Sequence, residues 1–378
     1  MLIGIFGTGR NGSSLIGRLL DGLQDTYVHP VEELFLTAFD DLAHRGRLSR
    51  LVIQNSTTRP LEYLSGTVSR KLLERNYRAS LKLVVKYCSE TVGSPSALRS
   101  LTVDDFLSKE FYDAEDFLRS YLEGIGSRVR PDVNFKNYLF KSIETPYLSE
   151  YERRFLDMRF IHIVRDPVAV CSSMKRSLLE NKAVPASYLG YDWLVCMLDK
   201  RWIPHARFLA SRIGDPRHIL VRYEDLVAAP VFEIGKVATN LGLLPPPRAT
   251  VQTIFHDLDR GNWGPNPSKK GVKSPTEVVA DLQERNSYVE VLTQREIDLI
   301  AMKTRDLITD LGYCSPSYAS LSDVRRQYLL PDKWEFMHCG RHPTYLIRGL
   351  VGFVYRRLAL FRAFPWCGFS SYSQVVYF

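Results

Sequence analysis

An α/β fold, a parallel β-sheet flanked by helices, is what the sequence predicts, and three observations carry that reading. Four short apolar runs suit buried parallel strands: Leu2 to Phe6, Tyr138 to Lys141, Phe160 to Val164 and Ile219 to Tyr223. Helical spacing follows the first, third and fourth of them, at Ser13 to Leu23, Val168 to Leu179 and Val231 to Leu241. The chain has 378 residues, 45% of them hydrophobic, which suffices for one large core or two smaller ones, and strand–helix alternation favours one large domain.

The first strand runs into Gly7-Thr8-Gly9-Arg10-Asn11-Gly12-Ser13-Ser14, and Leu15, Ile16, Leu19, Leu20 and Leu23 then recur at helical spacing. A glycine-rich loop between a strand and a helix lets backbone N–H groups curl around an anion, and the helix N-terminus adds partial positive charge. The glycine spacing is that of a P-loop. Serine stands at position 13, however, where an ATP-binding loop has the lysine that reaches the β and γ phosphates. Arg10 is the cation inside the loop that can take over that work.

From about residue 33 to residue 133 the sequence is mostly helical and mixed in charge, too long for a simple crossover. It reads as a helical insertion that shapes an acceptor site. The strand at Tyr138 ends in Lys141-Ser142-Ile143-Glu144. The strand at Phe160 ends in Arg165-Asp166-Pro167, with proline placed to open a helix that holds Ser172 and Ser173. Arginine presents a planar fork to phosphate, and a serine hydroxyl two helical turns along adds a further donor. The strand at Ile219 leads into Tyr223-Glu224-Asp225: the aromatic ring is placed to lie against a base, and the acids to hold loops. Gly242 is a C-cap, Pro245 to Pro247 and Gly261 to Pro275 are loop material, and Thr293 to Asp310 is a helix with a Thr293…Glu296 capping box. This gives a main domain over 1–320 and a C-terminal extension over 331–378.

Lysine and arginine number 50 against 42 acidic residues, a net charge of +8, which suits an anionic ligand, an acidic glycan or an anionic membrane surface. The six cysteines are dispersed without a CxxC pair, so neither a zinc site nor a disulfide framework is indicated, and a reducing compartment is the simpler reading. His338, Cys339 and His342 lack a matching partner pair and are read as incidental. A strand that begins at residue 2 leaves no room for a signal peptide, so the expectation is a cytoplasmic protein. The extension is basic and aromatic: Arg348, Arg356, Arg357 and Arg362 alternate with large apolar residues. No stretch there reaches the ~20 apolar residues of a spanning helix. A peripheral helix on an anionic membrane and a tail packed on protein both stay open.

Three motifs in this order, GTGRNGSS, IHIVRDPVAVCSS and VRYEDL, resemble those of the sulfotransferase superfamily that uses 3′-phosphoadenosine 5′-phosphosulfate (PAPS). The resemblance covers roughly residues 1–313 and lies closer to carbohydrate-directed and bacterial members than to cytosolic aryl and steroid enzymes. It implies a P-loop-like fold, with Gly9, Arg10, Asn11, Gly12, Ser13 and Ser14 around the 5′-phosphosulfate and Arg165 and Ser173 on the 3′-phosphate. Tyr223 and, in the later loop Arg260 to Gly264, Trp263 join them as donor-site residues.

The implied reaction is sulfuryl transfer to a hydroxyl or amine, with a glycan, a glycolipid or another small hydroxyl compound as acceptor, no nucleic acid partner and no metal. Charge collects on the departing phosphate, where Arg10 and the loop amides stabilise it. The acceptor must lose a proton. Glu32 and Glu33, just past the first helix, are the first candidate bases; they are adjacent, and spacing from Pro30 leans towards Glu32. Glu144 is the second candidate, and Lys141 is placed to assist the sulfonate. Two other readings remain at this point: a small-molecule or nucleotide kinase, and an anion-binding or membrane-associated protein without turnover.

Overall fold

The computed structural model describes residues 1–32, 114–142, 148–180, 189, 191–259 and 290–313. In chain order the elements are β1 (Leu2–Phe6), α1 (Ser13–Leu19), β2 (Thr26–Glu32), α2 (Ala114–Val129), β3 (Asn137–Ser142), α3 (Leu148–Arg154), β4 (Arg159–Val164) and α4 (Pro167–Glu180). Then come α5 (Tyr191–Met197), a π-helical turn (Leu198–Trp202), α6 (Ile203–Ala210), β5 (His218–Arg222), α7 (Tyr223–Ala228), α8 (Pro230–Asn240), α9 (Arg248–Asp259) and α10 (Gln294–Asp310). They fall into two compact units: Met1–Arg165 with Ser211–Lys269 and Lys273–Val279, and Asp166–Ala210 with Lys270–Val272 and Ala280–Phe378.

The first unit holds a five-stranded parallel sheet in the order β2-β3-β1-β4-β5. Alternation along each strand gives the sheet two unlike faces. One is aliphatic: Ile3, Ile5, Leu139, Ile161, Ile163, Ile219 and Val221 pack with Leu15, Ile16 and Leu19 of α1 and with Leu226, Ile234 and Val237 of α7 and α8. The other is aromatic: Phe6 lies against Phe140, Tyr151 and Phe160, and Tyr151 stacks on Phe155 of the turn after α3. Both faces being covered explains why the inner strands read as unbroken apolar runs.

Strand β2 was not foreseen. It contains Pro30, which cannot donate to a ladder, but β2 is an edge strand, where proline is tolerated. Tyr223 opens α7 rather than closing β5, because Arg222 is the extended residue before a helix that begins at 223. Helix α1 ends at Leu19; Leu20 and Leu23 continue the apolar pattern through a turn and stay buried. Gly242, at φ 70°, ends α8, with the Leu243 N–H bonded back to the Ala238 carbonyl at 2.9 Å.

In the second unit α10 packs on α4 and α6. Its capping box is formed: Glu296 N donates to Thr293 Oγ1 at 3.2 Å and Thr293 N to Glu296 Oε2 at 2.8 Å. Asp166 caps α4, its Oδ1 accepting from Ala169 N at 2.9 Å, with Pro167 in the first helical position. Of the expected insertion only α2 lies in the described residues, and the 331–378 extension lies outside them. Among the described residues no helix is long and apolar enough to cross a membrane.

Candidate functional site

At the carboxyl edge of the sheet β1 ends in the glycine-rich loop. Gly9, Arg10 and Gly12 all take left-handed backbone angles, φ 75°, 56° and 98°. Such reversals gather main-chain N–H groups into an anion-binding concavity. Arg10 is the unusual member, since a side chain at positive φ costs about 1–2 kcal/mol and persists where its surroundings demand it. Gly12 allows no substitute: a Cβ there would stand 2.3 Å from the Tyr223 ring.

Several residues lock this loop in place. Asn11 is fully buried; its Nδ2 donates to the Ile163 carbonyl at 2.6 Å and its Oδ1 faces Ser13 N at 3.4 Å. Its side chain is thus committed to tying the loop to β4, leaving its main chain to face a ligand. Arg165, immediately after β4, donates from Nη1 to the Arg10 carbonyl at 2.9 Å and lays its guanidinium 4.6 Å from the Tyr223 ring centre. Tyr223 is 6% exposed and packs at Gly12, so it supports both the loop and Arg165 from beneath.

A third cation joins from the next strand. Lys141 Nζ donates to Ser14 Oγ at 3.1 Å, and in the ladder Lys141 sits opposite Glu32 after a register shift in β2. Arg10, Ser14, Lys141, Arg165 and the end of β2 therefore share one edge of the sheet. Parallel α/β sheets place ligand chemistry there because loops and helix N-termini converge outside the strand ends. Ser173 sits partly exposed on α4 of the second unit. Glu33, Glu144, Arg260 and Trp263 lie outside the described residues.

One residue of this edge escaped sequence reasoning. His29, three positions before Glu32, is 2% exposed, edge-on to Tyr27 and Tyr121, with Nδ1 3.3 Å from the Tyr27 hydroxyl. Burial first, and then the nearby Lys141 charge, push its pKa down to about 3, so the ring is neutral at physiological pH. The signal that could have found it is the Tyr27–His29 alternation, hidden by the adjacent proline.

A second polar cluster lies at the opposite edge. His162 of β4 is fully buried and shares a hydrogen bond with His218 at 2.9 Å. His218 Nε2 lies 3.3 Å from Glu152 Oε1, and Arg212 grips both oxygens of Glu152 at 2.6 and 2.8 Å. Asp215 completes a group whose ligand-type atoms lie within 4.8 Å of one another. Its carboxylates are already engaged, Glu152 by Arg212 and Asp215 by the Arg217 N–H at 2.8 Å.

The model of the sulfotransferase family matches residues 3–245, which span β1 to the turn after α8. No curated protein matches the chain. Among solved structures, the sulfotransferase domain from the curacin biosynthetic pathway is 18% identical with a TM-score of 0.47, over 83% of this chain and 98% of that one. The sulfotransferase domain of the Synechococcus PCC 7002 olefin synthase is 19% identical with a TM-score of 0.45, over 83% and 95%. Sulfotransferase STF9 from Mycobacterium avium is 14% identical with a TM-score of 0.42, over 84% and 78%. At these values the structural likenesses add nothing on substrate, whereas the family model covers well over half of the sequence and includes every motif of the loop edge. The chain belongs to the sulfotransferase family, within the PAPS-dependent superfamily.

Proposed function

We propose that this enzyme moves a sulfuryl group from PAPS to a hydroxyl or amine on a glycan, a glycolipid or another small acceptor, without a metal. The observation that supports the donor site most is the interlock of Arg10, Gly12, Arg165 and Tyr223, which holds a left-handed loop open and brings guanidinium groups to it. Gly9 to Ser14 fit the 5′-phosphosulfate as backbone amides, hydroxyls and the Arg10 cation. Arg165 is assigned to the 3′-phosphate, and Ser173 joins it on the strength of its place in the same motif. Tyr223 acts by positioning Arg165, and Trp263 remains a donor-site residue on its motif alone.

When bound, the donor supplies an activated sulfuryl group whose departure leaves negative charge on the nucleotide phosphate. Arg10 and the loop amides stabilise that charge, a preorganised arrangement that needs no reorganisation at the moment of reaction. Lys141, held by Ser14, orients the sulfonate. Glu32 takes the acceptor proton, with Glu33 and Glu144 as the other candidates. The support for Glu32 is its ladder position beside Lys141. The basic composition supports an anionic acceptor and a peripheral membrane location for a cytoplasmic enzyme.

The test is incubation with labelled PAPS and a panel of glycans, glycolipids and small alcohols, following label into each. Incorporation into a glycan or glycolipid that is lost in Arg10→Ala supports the reading. Label that passes only to a small apolar alcohol overturns the acceptor class, and no transfer to any acceptor overturns the activity.

A further inference from the structure

Within the first unit, β2 reaches the loop edge through a shift of register. Val28 stands opposite Leu139 and Glu32 opposite Lys141, so β2 advances four residues where β3 advances two. The surplus lies between Val28 and Glu32, in His29-Pro30-Val31. Pro30 is exposed there and has no N–H to lose from the ladder. With regular pairing Pro30 would stand opposite Lys141, and Glu32 would lie two residues further on, about 6–7 Å beyond. The bulge therefore decides whether an acid or a proline stands beside Lys141.

Up to the bulge β2 is tied to α2 by Tyr27 and His29, which alternate onto one face and are each 2% exposed. The Tyr27 ring lies so close to Gly126 of α2 that a Cβ there would stand 3.0 Å from it. The His29 ring is edge-on to Tyr121 of α2, with centroids 5.7 Å apart. Packing alone does not call for histidine at this place. A phenylalanine ring would fill the same space without burying Nε2, which has no hydrogen-bond partner among the described residues. What the imidazole adds is the contact of Nδ1 with the Tyr27 hydroxyl at 3.3 Å, a clasp between neighbours on one face immediately before the surplus residues.

We infer that His29 is a positioning residue for the base: it pins β2 to α2 where the bulge begins and so holds Glu32 at the ladder position opposite Lys141. This rests on the assignment of Glu32 proposed above. The test is a double-mutant cycle on kcat, with labelled PAPS and the same panel of glycans, glycolipids and small alcohols. Each rate is taken per donor site, counted by titration with adenosine 3′,5′-bisphosphate, so that partly folded preparations are compared fairly. Glu32→Gln should lower kcat about 100-fold and His29→Gln about tenfold, both with bisphosphate affinity unchanged. The double variant should be no slower than Glu32→Gln alone, because a base already removed cannot be misplaced. A double variant slower by the product of the two losses overturns the inference and leaves Glu32 as the base. So does a His29→Gln kcat within twofold of wild type. A His29→Gln chain that binds no bisphosphate overturns it as well, by making the residue a requirement of the fold. Undiminished turnover in Glu32→Gln, or no transfer by wild type, would instead remove the base assignment and the inference with it.

Discussion

The two edges of the sheet in the first unit use the same residue types to opposite ends. At the loop edge Lys141 bonds a serine hydroxyl and Arg165 a backbone carbonyl, at 3.1 and 2.9 Å. At the far edge Arg212 grips the Glu152 carboxylate through two hydrogen bonds, and Glu152 in turn faces His218. The Arg212 hydrogen bond, outweighing partial burial, holds the Glu152 carboxyl below its ordinary range. A hydrogen bond from a cation to a hydroxyl or carbonyl fixes the side chain's direction, while one to a carboxylate also forms an ion pair. Contact chemistry, more than the presence of arginine, separates the two edges.

Four substitutions or conditions test that distinction, from the largest effect downward. Arg10→Ala should lower kcat about 100-fold or more with a near-native melting temperature, since it removes a group acting on developing charge. A loss under threefold in a steady-state assay would place Arg10 outside the reaction. Gly12→Ala puts a Cβ into the Tyr223 ring at a φ of 98°. It should both cut adenosine 3′,5′-bisphosphate affinity at least tenfold in titration and lower the melting temperature. Arg212→Ala should do the reverse of Arg10→Ala: a loss of about 1–2 kcal/mol in urea unfolding, with kcat/KM within twofold of wild type. If activity collapses while stability holds, the two edges are not distinct in the way described.

The smallest effect concerns pH. His29 has a folded pKa of about 3, below its unfolded value, so the unfolded chain takes up the proton first. The stability tied to neutral His29 is complete above about pH 6.5 and is lost as pH falls from there towards 3. Urea unfolding at pH 7 and pH 5 should show a weaker protein at pH 5, with a shallower dependence in His29→Gln. An equal dependence in that variant would assign the pH response to other groups.

Much of this architecture was legible in the sequence. The inner strands announced themselves because both faces are buried, and the Thr293–Glu296 box and Gly242 cap are local chemistry that needs no tertiary context. Strand β2 was hidden by Pro30, whose cost depends on being at a sheet edge, a fact of topology. The motifs located Arg10, Lys141 and Arg165 but could not distinguish ligand from scaffold. Asn11 and Tyr223 look like ligand residues in the linear motif, and only packing reveals that their side chains brace the loop. The pairings His162–His218, Glu152–Arg212 and Lys175–Glu296 join residues 56, 60 and 121 positions apart, beyond the reach of any local pattern.

The most direct test of an anion site built from fixed cations is calorimetric titration of the wild-type chain with adenosine 3′,5′-bisphosphate in the presence of EDTA, beside ATP with magnesium. Saturable, metal-independent binding of the bisphosphate, stronger than that of ATP and weakened at least tenfold by Arg165→Ala, is the predicted result. Preferential binding of ATP that requires magnesium, with the bisphosphate ignored, would contradict it.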